Sequence, residues 1–202
     1  MLNNRIMALA IGALVLGFAS QASASLIYVL DDSFGSVPVS GDIVITLTDA
    51  GPNNVTLDID LTALNSTEFI NELYLNTNTE VTSISGPSLD SFDWDPVAHK
   101  SDGDGYHDLL MDFLNSNGDR LTGGSVYSFN LSGTGLDESD FDDLGTASDK
   151  GQFHAVAKIN GTGDGEGSDW VGDGGNPPIP EPTAALLFAI GAVTVGARVR
   201  RR

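Results

Sequence analysis

Carboxylates are the most abundant side chains in this chain that could take part in acid–base or metal chemistry. The 202 residues include 28 aspartates and glutamates, three histidines and no cysteine. Without cysteine, the chain has no disulfide, no thiolate metal ligand and no thiol nucleophile. Its formal net charge of −19 also excludes typical nucleic-acid binding, because a phosphate backbone would be repelled. The remaining candidates are calcium binding, hydrolysis assisted by carboxylates, and contact with sugars.

The loop 102–108 is the first candidate, for calcium. Asp102, Asp104 and Asp108 lie among glycines in this loop, and calcium prefers carboxylate oxygens that converge in a tight loop. The spacing departs from the twelve-residue EF-hand loop, because Phe113 stands where that motif has its glutamate. We therefore expect solvated acidic turns and no cofactor, with a structural calcium ion as the alternative. The same applies to a second acidic cluster, which comprises Asp164, Glu166, Asp169 and Asp173.

Neighbouring carboxylates could also support hydrolysis of glycans. The pairs Asp93/Asp95 and Asp142/Asp143 are candidates, since glycoside cleavage uses two carboxyl groups roughly 5–10 Å apart. However, so acidic a chain contains many accidental pairs, and neither pair has an apolar neighbourhood that would raise one pKa. No nucleophile elbow is present, and no zinc-binding spacing links the three histidines, His99, His107 and His154. We therefore expect no catalytic residue, with a secreted glycan hydrolase as the second alternative function.

Aromatic side chains are the third candidate, for sugar binding. A flat ring offers a face on which a sugar ring can stack, and the candidates are Trp94, Trp170, Tyr74, Tyr106 and Tyr127. Most aromatic side chains in a small all-β domain belong to the core, so we expect few of them to contact sugar. A calcium-dependent adhesin or a carbohydrate-binding module is the first alternative function.

Alternating apolar residues predict that β-strands position these groups. Between residues 55 and 61, for example, Val55 and Leu57 share one face and leave threonine and aspartate on the other. Clusters of Gly, Pro, Asn and Asp separate such runs. The predicted strands are 26–30, 43–48, 55–61, 69–75, 81–85, 106–114, 127–131 and 153–159. They favour an all-β fold, an antiparallel β-sandwich or jelly-roll-like ectodomain. One helical turn capped by Asp137 is also predicted, and His154 is expected to be half-buried or exposed on the last strand.

Residues 1–24 have the pattern of a secretory signal peptide. Arg5 supplies the positive charge, an uncharged apolar run follows, and Ala22 and Ala24 match the small-x-small motif of signal peptidase. The apolar run is short for a membrane span. We therefore expect cleavage after Ala24, which makes Ser25 the first residue of the mature protein.

The other end of the chain has the pattern of a membrane-processing signal. Pro180, Glu181 and Pro182 are followed by an uncharged run, 183–197, that would be about 22 Å long as a helix. This is short of a typical bilayer core of roughly 30 Å, but arginine side chains can extend to the interface. The prolines keep residues 176–182 extended and open to a membrane enzyme. Four arginines would stay in the cytoplasm and leave the body outside, namely Arg198, Arg200, Arg201 and Arg202.

These three ordered features resemble the PEP-CTERM sorting signal of Gram-negative bacteria: a Pro-Glu-Pro triplet, a short transmembrane helix and an arginine-rich end. The resemblance implies that an exosortase, a multi-spanning membrane cysteine transpeptidase, recognises Pro180, Glu181 and Pro182. It also implies removal of the tail and sorting outward, often in species that make exopolysaccharide. The body is similar to a recurrent ectodomain of PEP-CTERM proteins at residues 153–157 (Phe-His-Ala-Val-Ala) and 168–172 (Ser-Asp-Trp-Val-Gly), which implies no activity.

These observations predict an exported, non-catalytic surface or extracellular-matrix protein. The expected organisation is a signal peptide (1–24), an acidic ectodomain (25–160), a Gly/Asp/Pro-rich stalk (161–179) and a sorting signal (180–202). Between residues 25 and 175, 27 acidic side chains stand against four basic ones, which favours solubility outside the cell. The expected partners are signal peptidase, an exosortase and extracellular polysaccharide. The inner membrane is expected to anchor the chain transiently, with the ectodomain outside, before it reaches the cell surface or the medium.

Overall fold

Alternation of apolar and polar residues produces twelve β-strands in the computed structural model, which describes residues 25–101, 105–116 and 118–174. Within these ranges there is one 3₁₀ turn, Glu138–Phe141, and no α-helix. As predicted, Asp137 caps this turn, since its carboxylate accepts a hydrogen bond from the N–H of Ser139 at 2.9 Å. The all-β prediction is confirmed.

The strands form two antiparallel sheets. The first contains, from one edge to the other, β1 (Ser25–Leu30), β3 (Ile43–Asp49), β4 (Asn54–Asp60), β10 (Val126–Ser132) and β6 (Ser83–Ser85). The second contains β2 (Asp32–Ser33), β12 (Gly167–Gly172), β11 (Ala155–Thr162), β5 (Phe69–Leu75), β8 (Gly105–Phe113) and β7 (Leu89–Ser101), and β9 (Leu121–Thr122) pairs with β5. Neighbouring strands are often distant in the sequence, so residues far apart along the chain become neighbours on a sheet face.

The larger of two hydrophobic clusters in the described body contains buried side chains from both sheets, and the smaller one consists of Tyr74, Phe153 and Val156. In the first sheet, Leu57 lies opposite Leu47 on one side and Phe129 on the other, and all three are 0% exposed. Leu73 and Leu109 contribute to the same core from the second sheet. Side chains alternate between the two faces of a strand, so the register that buries these residues places the intervening polar ones outside.

The sequence pattern does not predict β7, because most of its side chains are exposed. This edge strand pairs with β8, and the pairing is interrupted between Trp94 and His99. Within the interruption Val97 has a φ of 57°, and its N–H donates to Asp108 Oδ1 at 2.7 Å. Pro96 also weakens the strand pattern, since proline is confined to edges and bulges of sheets. An exposed, bulged edge strand therefore carries little periodic signal.

Residues 161–174 do not form the predicted stalk. They complete β11, make a turn and form β12, where Val171 is 0% exposed and Asp169 is 1% exposed. The glycines here serve the turn: Gly165 has a φ of 92°, a conformation that glycine adopts without steric cost. The predicted boundary at residue 160 is therefore wrong, and the folded body continues through Gly172.

The predicted signal peptide (1–24) and sorting signal (180–202) lie outside the described residues, as do residues 175–179 of the predicted stalk. In the part of the chain that the structure describes, no helix has the length and apolar character needed to cross a lipid bilayer. The expectations for both ends of the chain therefore stay predictions.

Candidate functional site

Four side chains on neighbouring strands form a row across the second sheet: Asp112 on β8, Glu72 on β5, Lys158 on β11 and Trp170 on β12. Each lies directly opposite the next in the antiparallel register. Opposite side chains point to the same face, with Cβ atoms about 4.5–5.5 Å apart. Because the adjacent Leu73 is buried in the core, this polar row lies on the outer face of the sheet.

Lys158 lies between a carboxylate and an aromatic ring. Its ammonium nitrogen is 2.7 Å from Glu72 Oε1 and 5.4 Å from the centre of the Trp170 ring, a distance at which a cation is attracted to an aromatic face. Tyr74 adds a second support, because its ring centre is 5.7 Å from that of Trp170 and its hydroxyl donates to Glu72 Oε2 at 2.7 Å. The half-buried indole is thus held at the surface by contacts on its own sheet.

Asp112 and Glu72 are opposite carboxylates in different surroundings. Asn71 also donates to Glu72 Oε1, at 3.1 Å, so Glu72 already accepts from three side chains. Burial is the main cause that raises the pKa of Asp112; the charges of Glu72 and Asp90 add to it, and a hydrogen bond from Ser91 opposes it. The row therefore presents one carboxylate saturated with donors and one that takes up a proton more readily. This arrangement suits hydrogen bonding to hydroxyl groups, and it leaves Glu72 poorly placed to act as a nucleophile.

Asp112→Asn is expected to stabilise the domain modestly at neutral pH. The raised pKa means that the ionised carboxylate is less favourable in the folded than in the unfolded chain. The advantage of the amide should be complete well above the folded pKa, shrink as the pH falls through it, and vanish below the ordinary value of 3.8. Urea midpoints of the two proteins, compared from about pH 3 to pH 8, test this. A lower midpoint for the variant at neutral pH would contradict it.

A second polar cluster is buried at one end of the sheets. His154 precedes β11 and is 5% exposed, and Asp173 follows β12 and is 2% exposed. The Asp173 carboxylate lies 2.6 Å from His154 Nδ1 and accepts the backbone N–H of His154 at 3.0 Å, which makes Nδ1 the protonated ring nitrogen. Tyr28 stacks on the imidazole, with ring centres 5.1 Å apart. The prediction that His154 is half-buried or exposed is wrong. The side chain is buried, and the Asp173 carboxylate accepts hydrogen bonds from both its ring nitrogen and its backbone N–H.

The other ring nitrogen of His154 does not point to a nucleophile. Nε2 lies 4.0 Å from Asp142 Oδ1, whose side chain is 55% exposed. Within residues 25–101, 105–116 and 118–174, the hydrogen bonds of the His154 side chain include none from Nε2 to a hydroxyl. Because a triad-type nucleophile needs such a contact, we assign the cluster to stability.

Tyr28→Phe is expected to flatten the loss of stability at alkaline pH. The hydroxyl of Tyr28 donates to the carbonyl of Phe141 at 2.6 Å. Burial, followed by the charges of Asp142, Asp173 and Asp143, raises the pKa of Tyr28. The resulting stability is complete below the unfolded value of about 10 and is lost as the pH rises above it.

Urea unfolding of both proteins between about pH 8 and pH 11.5 checks this expectation. At the lower end the Tyr28→Phe variant should be less stable by about 1 kcal/mol, the net worth of one hydrogen bond. Parallel pH profiles for the two proteins would show that Tyr28 does not carry the alkaline sensitivity.

The predicted calcium loop is described only in part. Asp102 and Asp104 lie outside the described residues. Asp108 accepts the backbone N–H of Val97 at 2.7 Å and that of Thr77 at 3.1 Å, one on each carboxylate oxygen. Across the residues that the structure describes, no three His, Cys, Asp or Glu side chains are grouped to hold a metal ion. Calcium binding at this loop stays a prediction. In the structure both Asp108 oxygens accept backbone N–H groups, and one of these bonds holds the edge strand β7.

The fold separates the other acidic candidates. In the second cluster Asp169 and Asp173 are buried and accept hydrogen bonds from Ser33 and His154, whereas Asp164 and Glu166 are exposed. All four carboxylates considered for hydrolysis are exposed and outside the polar row, namely Asp93, Asp95, Asp142 and Asp143. The opposite carboxylates that the sheet does bring together, Glu72 and Asp112, were not candidates, because strand register is not visible in the sequence.

Strand register also places His99 directly opposite His107. The side-chain amide of Asn76 lies 3.1 Å from His107 Nδ1, and the same amide nitrogen donates to the carbonyls of Phe153 and His154 at 3.0 Å. The two hydrogens of this amide face three neighbours, so at least one of the hydrogen bonds is shared. His107 is thus buried among polar groups inside the domain.

The five aromatic candidates for sugar binding have different positions. Trp170 belongs to the polar row, and its ring packs against that of Tyr74, which is 5% exposed. Trp94 packs against the main core, and the hydroxyl of Tyr127 accepts a hydrogen bond from the backbone N–H of Thr122, on β9, at 2.9 Å. Tyr106 is 42% exposed, with Lys100 Nζ 5.9 Å from its ring centre. Of the five, Trp170 is the partly exposed ring that lies beside the Lys158–Glu72 pair, and it packs on one side against a small apolar cluster with Tyr74.

The comparisons with known proteins add no relative. No protein-family model, no curated protein and no solved structure matches this chain. The functional interpretation therefore depends on the residues and contacts described above.

Proposed function

We propose that this chain is an exported, non-catalytic surface or extracellular-matrix protein with a β-sandwich, jelly-roll-like body, sorted through Pro180, Glu181 and Pro182. One observation carries the proposal: the signal-peptide pattern and the Pro-Glu-Pro tail flank an all-β body, whose last strand, β12, ends at Gly172, ahead of the triplet. Both processing steps would therefore leave every described strand intact.

The surface of the body supports export. The 27 acidic side chains between residues 25 and 175 outnumber the four basic ones, which keeps a protein soluble and attracts divalent cations. Among the described residues, the large apolar side chains with high exposure are Val97, Tyr106, Val126 and Leu144. These four side chains are few beside the acidic ones of the same body.

The proposed route has three steps. Signal peptidase cleaves after Ala24, and the run 183–197 then holds the chain in the inner membrane with its arginines in the cytoplasm. An exosortase acts near the triplet, where the prolines preset an extended backbone and Glu181 supplies a charge for recognition. These three residues are part of the substrate and perform no catalysis in this protein.

Intact-mass measurement of the mature protein, in host strains with and without the exosortase, tests the proposal. The mature protein should begin at Ser25 and should lack residues 183–202 only when the exosortase is present. Glu181→Ala should reduce processing, whereas the matched change Glu166→Ala, in the exposed turn before β12, should leave it unchanged. A mature protein that keeps residues 183–202 in both strains would refute the proposed route.

A further inference from the structure

We propose that the polar row on the outer face of the second sheet binds a neutral glycan, with the indole of Trp170 as a stacking surface and with Lys158 and Asp112 as hydrogen-bonding partners of sugar hydroxyls. This proposal goes beyond the sorting function and does not depend on it.

The row extends across four neighbouring strands of the sheet. From Trp170 to Asp112 it crosses three strand spacings, about 14 Å at 4.8 Å each, which is the length of a short oligosaccharide. The strands are hydrogen-bonded neighbours in the middle of the sheet, so the four side chains stand on rigid backbone. A site on strands holds its geometry better than one on loops.

The contacts within the row prepare it for a ligand. Lys158 is held by Glu72 at 2.7 Å, which leaves further N–H groups of its ammonium available for hydroxyl oxygens. Three asparagines border the row: Asn71 accepts hydrogen bonds from Asn115 and Asn160. A partly exposed tryptophan beside amides, a carboxylate and an ammonium provides both the apolar face and the donors and acceptors that a sugar ring requires.

Charge selects the kind of glycan. Lys158 is neutralised by Glu72, Asp112 adds negative charge, and the whole body carries a large excess of acidic side chains. A polymer of uronic acids would be repelled. A neutral polysaccharide meets no such barrier and can use every hydrogen-bonding group in the row.

Affinity electrophoresis of the full-length chain, in a polyoxyethylene detergent that contains no sugar, tests this proposal. Native gels would contain hydroxyethyl cellulose, dextran, xylan or galactomannan as neutral polymers, and alginate as the anionic comparison. We expect at least one neutral polymer to retard the chain, and alginate not to do so. The dissociation constant for the polymer is obtained from the mobility at several polymer concentrations. Trp170→Ala should raise it by at least tenfold, and Lys158→Met should raise it severalfold.

Two controls separate binding from folding. Lys150→Met removes the same charge from an exposed loop and should bind as the unaltered chain does. The urea midpoint of each variant shows whether it is folded. If Trp170→Ala proves unstable, Lys158→Met provides the test, because methionine is unbranched and close to lysine in length. The proposal is overturned if no neutral polymer retards the chain, if alginate retards it equally, or if folded Lys158→Met and Lys150→Met bind alike.

Discussion

Asp173→Ala is expected to lower the free energy of unfolding by about 2–6 kcal/mol, because two buried N–H donors would lose their acceptor at about 1–3 kcal/mol each. Asp173 is 2% exposed and lies 2.6 Å from Nδ1 of His154, which is 5% exposed. The same carboxylate accepts the backbone N–H of His154 at 3.0 Å. The substitution would leave both donors buried without their acceptor, a cost that is large beside the roughly 5–15 kcal/mol that stabilises a typical domain.

Urea unfolding followed by tryptophan fluorescence measures this effect, since Trp94 and Trp170 both lie in the folded body. Asp142→Ala is the matched control, because Asp142 is 55% exposed and 4.0 Å from the other ring nitrogen of His154. It should change stability by less than about 1 kcal/mol, because substitutions of exposed side chains usually have small effects. Equal losses of stability for the two variants would show that the buried hydrogen bonds of Asp173 add nothing to the free energy of unfolding, which would contradict the prediction.

Phe129→Ala is expected to cost about 3–5 kcal/mol, the usual penalty for truncating a buried aromatic side chain. Phe129, on β10 of the first sheet, is 0% exposed, and its ring centre lies 5.6 Å from that of Phe113 on β8 of the second sheet. Its ring also fills the space where a Cβ of Gly86 would stand. Removing it would leave a cavity between the sheets that neither sheet can close without moving the other.

The control for this prediction is Val126→Ala, on the same strand but 55% exposed. A change within about 0.5 kcal/mol is expected there. Urea midpoints of both variants provide the comparison. If Phe129→Ala were as mild as Val126→Ala, the two sheets would not be stabilised by the core that they share.

Much of the strand content could be predicted from local pattern. Residues such as Val55 and Leu57 alternate with polar neighbours, and the strand they predict is β4, buried on one face as expected. The 3₁₀ turn after Asp137 was also predictable, because capping depends on a side chain and the N–H groups just beyond it. In both cases the determining interactions span only a few residues.

Four strands could not be predicted in this way: the two-residue strands β2 and β9, and the longer strands β7 and β12. β7 is an edge strand with a bulge, so its exposed residues, including Pro96, show no buried face. The glycines around β12 predict a flexible stalk. In the structure, however, Gly165 lies in a tight turn before β12, and Val171 on β12 is buried. Glycine composition indicates backbone freedom, and only tertiary contacts decide whether that freedom is used for a turn or for a flexible linker.

The amino-acid sequence alone determined the charge of the body, the absence of thiol chemistry, the alternation that makes the described body all-β, and the patterns at both ends that predict export and sorting. These properties depend on composition or on neighbours along the chain. Tertiary structure decided which carboxylates have specific partners. It buried Asp173 against His154, and it placed Glu72 opposite Asp112 and beside Lys158. Those pairings depend on strand register, which is selected by the shared apolar core and leaves no trace in the spacing of the polar residues that it brings together.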